Sequence, residues 1–203
     1  MLALANLPDL VAALTETIFD HIEELDALDR AIGDGDHGTN LERGARAVLG
    51  GWPELAGEPY GAALAGIGRL LAMSVGGASG ALYGTLFMAF GRALPTPCDR
   101  AGLAAAFGAG VAAVAARGRS APGEKTMLDV LVPLARLLAD PDRRLTAASV
   151  AECVGTAAAA TIPMRALRGR ASFLGERSIG HMDPGARSSM LMAIALCRVP
   201  PSG

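Results

Sequence analysis

Three carboxylates, Asp29, Asp34 and Asp36, fall in the stretch LDRAIGDGDHGTNL at residues 28–41, in a short glycine-rich turn followed at once by His37, Gly38, Thr39 and Asn40. Carboxylates this close repel one another, so the pattern calls for a positive partner. A hard divalent cation is the natural one, because Mg²⁺ takes a few carboxylate oxygens and fills its other positions with water and phosphate oxygens. Phosphate chemistry is therefore the expectation. The bland alternative is a solvated acidic turn in which Gly33 and Gly35 supply positive φ.

Two familiar patterns touch this segment and fail on physical grounds. Gly33, Gly35 and Gly38 satisfy GxGxxG, but a dinucleotide fingerprint follows a β-strand, and the preceding HIEELDALDRA is polar and helix-like. Bare Asp34 and Asp36 would also repel a pyrophosphate. With Asp34 as the first ligand of an EF-hand, Thr39 falls where glycine is required and Ala45 where the bidentate glutamate belongs.

The elements that must position these residues read as helices. Apolar residues recur at spacings of three and four, and β-branched runs such as residues 130–132 are brief and lie inside helical windows. The expected fold is all-α: eight helices at about 7–28, 39–49, 60–73, 79–94, 100–117, 126–139, 146–166 and 184–198, forming an up-and-down antiparallel bundle or barrel. Pro133 should kink or split the sixth. In that topology alternate connections share an end. The acidic turn, residues 74–80 (SVGGASG), residues 117–126 (RGRSAPGEKT) and residues 168–185 would then converge on one rim. The connections at the other end carry proline, glycine and surface charge without convergent chemistry.

Each rich loop also leads into a helix start, marked by Gly38 to Asn40, by Ser79, by Thr126 and by Asp183 with Pro184 at the first helical position. Unpaired N–H groups and the positive dipole end suit a phosphate chain. Singly the loops are weak signals. GGASG is an ordinary tight connection, Lys125 lacks the P-loop spacing, Asp183 is most simply an N-cap, and Arg170 is most simply a surface residue or carboxylate partner. His181 reads as a satisfied structural histidine and His37 as a hydrogen-bonding orienter, while Ser172, Ser178, Ser188 and Ser189 certify no nucleophilic triad.

The 203 residues, with mean hydropathy +0.36, fit one globular domain over 1–203 with a sizeable core. A net charge of −2 gives no basic footprint for nucleic acid. Cys98, Cys153 and Cys197 are isolated singletons, read as reduced, cytosolic and non-catalytic. The start MLALANLPDLVAAL lacks a basic region and meets Asp9 early, making a poor signal peptide. Residues 101–116 are uncharged but Ala/Gly-rich and shorter than the roughly twenty apolar residues of a membrane span, so an internal packed helix is expected, with no membrane association and a cytoplasmic location.

Four motifs in order carry a family resemblance: IGDGDHGTNLERG at residues 32–44, MSVGGASGALYGTLF at 73–87, PGEKTMLDVL at 122–131 and GRASFLGERSIGHMDPGARS at 169–188. Over nearly its whole length the chain resembles the L subunits of bacterial dihydroxyacetone kinases, which correspond to the nucleotide-binding domain of single-chain ATP-dependent kinases. That family's fold is similar to the eight-helix barrel argued above. Two departures are small: glycine at position 35, where relatives can carry alanine, and Met182, where glutamine is frequent.

The resemblance implies that Asp29, Asp34 and Asp36 bind two Mg²⁺ ions holding the phosphates of ADP or ATP, with Arg170 adding positive charge to the catalytic set. His37, Gly38, Thr39, Asn40, Ala78 and Ser79 would line the nucleotide. Gly118, Met127, Arg170, Asp183, Pro184 and Gly185 would surround its base, ribose and phosphates. It also implies phosphoryl transfer to dihydroxyacetone held covalently through a histidine on a separate K-type subunit, so that this chain is half of an enzyme. The donor is either exchangeable ATP or bound ADP recharged by an M-type phosphotransfer protein. A homodimer is left open, as are an L-type subunit serving another ketose or a fatty acid and a nucleotide-binding adaptor that contacts a transcription regulator.

Overall fold

The computed structural model describes residues 6–200, which form nine α-helices and one 3₁₀ segment, without a β-strand among the described residues. The helices are α1 (Leu7–Asp20), α2 (Ile22–Ile32), α3 (His37–Leu55), α4 (Tyr60–Ser74), α5 (Gly77–Ala93), α6 (Arg100–Gly118), α7 (Leu128–Ala139), α8 (Ala147–Ala160) and α9 (Pro184–Arg198). The 3₁₀ segment, Arg170–Ser178, lies between α8 and α9. Consecutive helices from α3 to α9 pack on one another, and α9 returns to pack on α1 and α2, closing the ring.

The all-α expectation holds, but the helix count is nine rather than eight. The first predicted helix, 7–28, is broken at His21, whose backbone leaves the helical region at φ −121° and ψ 15° and whose Nδ1 bonds the Thr17 carbonyl at 2.8 Å. Beyond the break the chain runs helically to Ile32, so Asp29 stands in the last turn of a helix and not in the glycine turn. The α3 helix begins at His37, two residues earlier than expected, and continues through Pro53 to Leu55. Pro133 does not split α7, which runs unbroken from Leu128 to Ala139. The α8 helix stops at Ala160, short of the expected 166, and the 3₁₀ segment occupies what reads as loop.

The core is built from the inward stripes of these helices, with Leu25, Val114, Leu128, Val130 and Val154 essentially inaccessible. A smaller cluster of Val11, Val48, Leu64 and Ile67 joins α1, α3 and α4. The α4 and α5 helices meet backbone to backbone: a Cβ on Gly84 would stand 2.7 Å from the Gly68 carbonyl oxygen, and one on Gly91 2.4 Å from that of Gly61. Only glycine permits this approach, and it fixes the geometry from which the connection between these helices emerges. The α6 helix is long and apolar enough by length and composition to cross a membrane, yet it packs on α5 and α7. The expected internal helix is in fact a surface one: Val111 and Val114 face the core while Ala101, Ala105, Ala109, Ala112 and Ala116 are exposed.

Candidate functional site

The loops following α2, α4, α6 and α8 do converge, and they surround a cavity of about 340 Å³. Asp29, at the end of α2, organises the first of them. Its Oδ2 accepts the backbone N–H groups of Gly35 at 2.9 Å and Asp36 at 3.0 Å, pulling the turn back over the helix end. Two glycines make this turn possible: Gly35 has φ +78°, and a Cβ on Gly33 would lie 2.3 Å from Asp29 Oδ1. Asp34 pairs with Arg170 from the fourth loop. Asp36 occupies the N-cap position of α3 without using its side chain as a cap.

One oxygen from each of Asp29, Asp34 and Asp36 lies within 4.8 Å of the others. Burial, helped by the neighbouring charges of Asp34 and Asp36, raises the Asp29 pKa despite its two N–H donors. An all-oxygen, anionic set of this kind suits a hard divalent cation, which would remove the mutual repulsion that Arg170 offsets at Asp34.

The second loop brings the first turn of α5 to the cavity. Gly76 and Gly77 pass close over Asn40, and a Cβ on Gly76 would meet Asn40 Oδ1 at 2.6 Å. The α5 start has no side-chain cap, so the N–H groups at Gly77, Ala78 and Ser79 face the cavity end without an internal acceptor. The α9 start differs: Asp183 accepts the Ala186 N–H at 2.7 Å, confirming its reading as an N-cap, with Pro184 at the first helical position. Pro184 and Gly185 line the cavity behind it. Gly118 and Met127 contribute to the wall from the third loop, and Ile32, Leu82 and Val114 add apolar residues to the lining.

Of the residues expected at the site, Asp29, Asp34, Asp36, His37, Asn40, Ala78, Ser79, Gly118, Met127, Arg170, Asp183, Pro184 and Gly185 border the cavity, whereas Gly38 and Thr39 do not. Gly38 serves the packing of α3 on α2, where a Cβ would stand 2.2 Å from the Ile22 carbonyl oxygen. Thr39 is turned the same way and gives its N–H and hydroxyl to Asp26 at 3.0 and 2.7 Å.

Sequence reasoning missed the buried fastening beneath the third and fourth loops. Lys125, 1% exposed and with φ +62°, donates its ammonium to the carbonyls of Thr161 and His181. Burial lowers its pKa, opposed by the charges of Asp183 and Asp129. Asp129 accepts from Gly123 and Thr126, holding the loop ahead of α7. His181 contributes only this carbonyl and its ring is exposed, contrary to its reading as a satisfied histidine. Asp183 has its pKa raised to about 7, chiefly by burial and also by Asp129 and Asp29, against the Ala186 N–H and Lys125.

His37 is the hydrogen-bonding orienter it was expected to be. Its Nδ1 contacts Ser79 Oγ at 3.1 Å and its Nε2 contacts Ser188 Oγ at 2.9 Å. Burial holds its pKa down to about 4 against the pull of Asp26 and Asp36, so the ring is neutral near pH 7. Tyr83, in the apolar stretch ALYGTLF, places its hydroxyl 2.7 Å from Ser188 Oγ and 2.9 Å from Ser189 Oγ. Its spacing carries no polar signal that could have separated it from its apolar neighbours.

Comparison with known proteins gives one consistent result. Residues 31–198 match the DAK2 domain family. The chain is 44% identical over 183 residues to the ADP-binding subunit DhaL of the PEP-dependent dihydroxyacetone kinase of Escherichia coli, covering 84% of each chain. It is 40% identical to the corresponding subunit of kinase 1 of Listeria innocua, covering 89% of each. The fold is similar to part of the dihydroxyacetone kinase of C. freundii solved with AMP-PNP and Mg²⁺, at a TM-score of 0.73 and 29% identity, covering 94% of this chain and 33% of that one. The chain belongs to the DAK2 domain family, among the L subunits of dihydroxyacetone kinases.

Proposed function

We propose that this chain is the nucleotide-bearing subunit of a dihydroxyacetone kinase, carrying the phosphoryl donor to an acceptor held on a separate K-type subunit. The observation that carries the reading is the convergence of the Asp29, Asp34 and Asp36 carboxylates, the open α5 start and an apolar wall on one cavity. The names of the relatives, an ADP-binding subunit and a kinase solved with AMP-PNP and Mg²⁺, supply the ligand class.

In this reading Asp29, Asp34 and Asp36 would hold Mg²⁺, two ions by family resemblance, which would supply positive charge against the phosphoryl oxygens. Arg170, already paired with Asp34, keeps a guanidinium beside the same phosphates. The N–H groups at Ala78 and Ser79 donate to the phosphate chain, and Met127, Leu82 and Val114 pack against the base. Asp29 also holds its own turn through Gly35 and Asp36, so one carboxylate both shapes the loop and faces the cation.

The PEP-dependent names of relatives at 40 and 44% identity favour the mode in which ADP stays bound and is recharged in place by an M-type phosphotransfer protein. The three free cysteines fit a reducing compartment, and we assign the chain to the cytoplasm. Calorimetric titration with ADP in Mg²⁺ tests the site. Asp34→Asn is expected to weaken binding at least tenfold, about 1.4 kcal/mol, while the melting temperature shifts by no more than about 4 °C, since an exposed Asp34–Arg170 pair contributes about 0–1 kcal/mol. Unchanged affinity would remove the metal assignment.

A further inference from the structure

A buried polar line leads away from the cavity, and nothing in the phosphoryl-transfer reading uses it. It runs from Ser79 at the cavity wall through His37 and Ser188 to Tyr83 and Ser189, with successive contacts of 3.1, 2.9, 2.7 and 2.9 Å. His37, Tyr83, Ser188 and Ser189 are 8, 3, 0 and 3% exposed, so water does not supply missing partners.

Every member brings one hydrogen: four hydroxyls, and a neutral imidazole that donates from one nitrogen and accepts at the other. Four contacts consume four of the five hydrogens, and the direction of donation decides where the fifth is left. If donation runs outward, from Ser189 to Tyr83 to Ser188 to His37 Nε2, then Nδ1–H donates to Ser79 and the spare hydrogen is the Ser79 hydroxyl at the cavity. If it runs wholly inward, the spare hydrogen belongs to Ser189, whose side chain has only Tyr83 as a partner. A mixed order can end on the Gly185 carbonyl, but Ser188 and Tyr83 lie 3.2 and 3.3 Å from it, long for an O–H donor.

We propose that Tyr83, Ser188 and Ser189 act as positioning residues that fix His37 in its Nδ1–H tautomer and so direct the Ser79 hydroxyl hydrogen into the cavity, as a donor to an anionic phosphoryl oxygen. The inference rests on the reading of the cavity as a nucleotide site and deepens it. The line starts at Ser79 on α5, crosses His37 on α3 and Ser188 on α9, and returns through Tyr83 on α5 to Ser189 on α9, so it also ties the first, second and fourth loops into one donor array. An acceptor-only Ser79, the product of the opposite tautomer, would repel the same oxygen.

Nitrogen-15 NMR of the histidine-labelled wild-type chain saturated with MgADP reads the tautomer without any substitution in the line; His21→Gln and His181→Gln assign His37 by elimination. A protonated, pyrrole-type Nδ1 and an unprotonated Nε2 are expected. The second arm is a double-mutant cycle on MgADP affinity. Ser79→Ala should weaken binding about tenfold, the scale of one hydrogen bond to a charged group. Tyr83→Phe should weaken it severalfold in the wild type and not at all in the Ser79→Ala background, which a merely structural role of Tyr83 would not produce. MgADP binding with an Nε2–H His37, or equal losses from Tyr83→Phe in both backgrounds, overturns the relay alone. Failure of the wild type to bind MgADP overturns the nucleotide-site reading and the relay with it.

Discussion

At the scale of single residues, the buried charges beneath the loops set stability while the exposed ones face chemistry. Lys125 is surrounded by two carbonyls and the carboxylates of Asp129 and Asp183, so Lys125→Met would leave both carbonyls unpaired. It is expected to destabilise the chain by about 2–4 kcal/mol in urea unfolding; a loss below half a kcal/mol on the ~1 kcal/mol scale of an ordinary hydrogen bond would mean the ammonium contributes nothing net. Asp183 gives a signed pH dependence. Its folded pKa of about 7 lies above its usual 3.8, so the native state binds the extra proton, and this group's contribution to stability falls as pH rises between those values. Asp183→Asn keeps an N-cap oxygen and cannot ionise. In metal-free buffer its stability relative to wild type should therefore rise from pH 4.5 to pH 8, by on the order of a few kcal/mol; a difference independent of pH would show that Asp183 ionises freely. The carboxylate triad was legible from sequence because acidity and spacing are written in consecutive residues. Lys125 and Tyr83 were not, since their partners lie 36 to 106 positions away and their roles exist only after folding.

At the scale of elements, helix starts and glycine crossings determine what the loops can present. The sorting of loops to one end was readable from helix periodicity and connection length, because antiparallel neighbours force alternate connections together. The break at His21 was not readable: IFDHIEEL continues the helical pattern, and the change shows only after folding, in the His21 backbone angles and its bonds to the Ile18 and Thr17 carbonyls. That break matters to function, since α2 packs on α3, on α9 and on the 3₁₀ segment, delivering Asp26 to Thr39 and Asp29 to the glycine turn. The α4–α5 crossing is equally local in cause. Gly84→Ala places a methyl 2.7 Å from the Gly68 carbonyl and 2.8 Å from Ala72 Cβ. It should cost about 1–3 kcal/mol by overpacking and lower the melting temperature by several degrees. Because the same helices frame Gly76 to Ser79, MgADP affinity should fall as well; full stability and affinity in this variant would mean the crossing tolerates a side chain.

At the scale of the whole molecule, apolar exposure gathers in and beside the connections that follow α4 and α8, two of the four that reach the cavity. Among the described residues, five of the seven large apolar side chains left exposed, Met73, Ile162, Leu167, Phe173 and Ile179, stand at the ends of α4 and α8 or in the connection before α9, with Phe173 at 88% and Met73 at 86%. Phosphoryl transfer requires a dry site, and this chain spans only a third of the C. freundii kinase that it resembles. Under the proposed function, a partner subunit docking on this rim would account for both. Phe173→Ser is expected to leave MgADP affinity unchanged and to weaken binding to the K-type partner at least tenfold by calorimetry; equal partner affinity would move the docking face elsewhere. The division of labour itself is tested most directly by reconstitution, following dihydroxyacetone phosphate formed from phosphoenolpyruvate and the phosphotransfer proteins with this chain, the K-type partner, or both. The account predicts product only when both chains are present. Turnover by this chain without its partner, or none from the complete mixture, would contradict it.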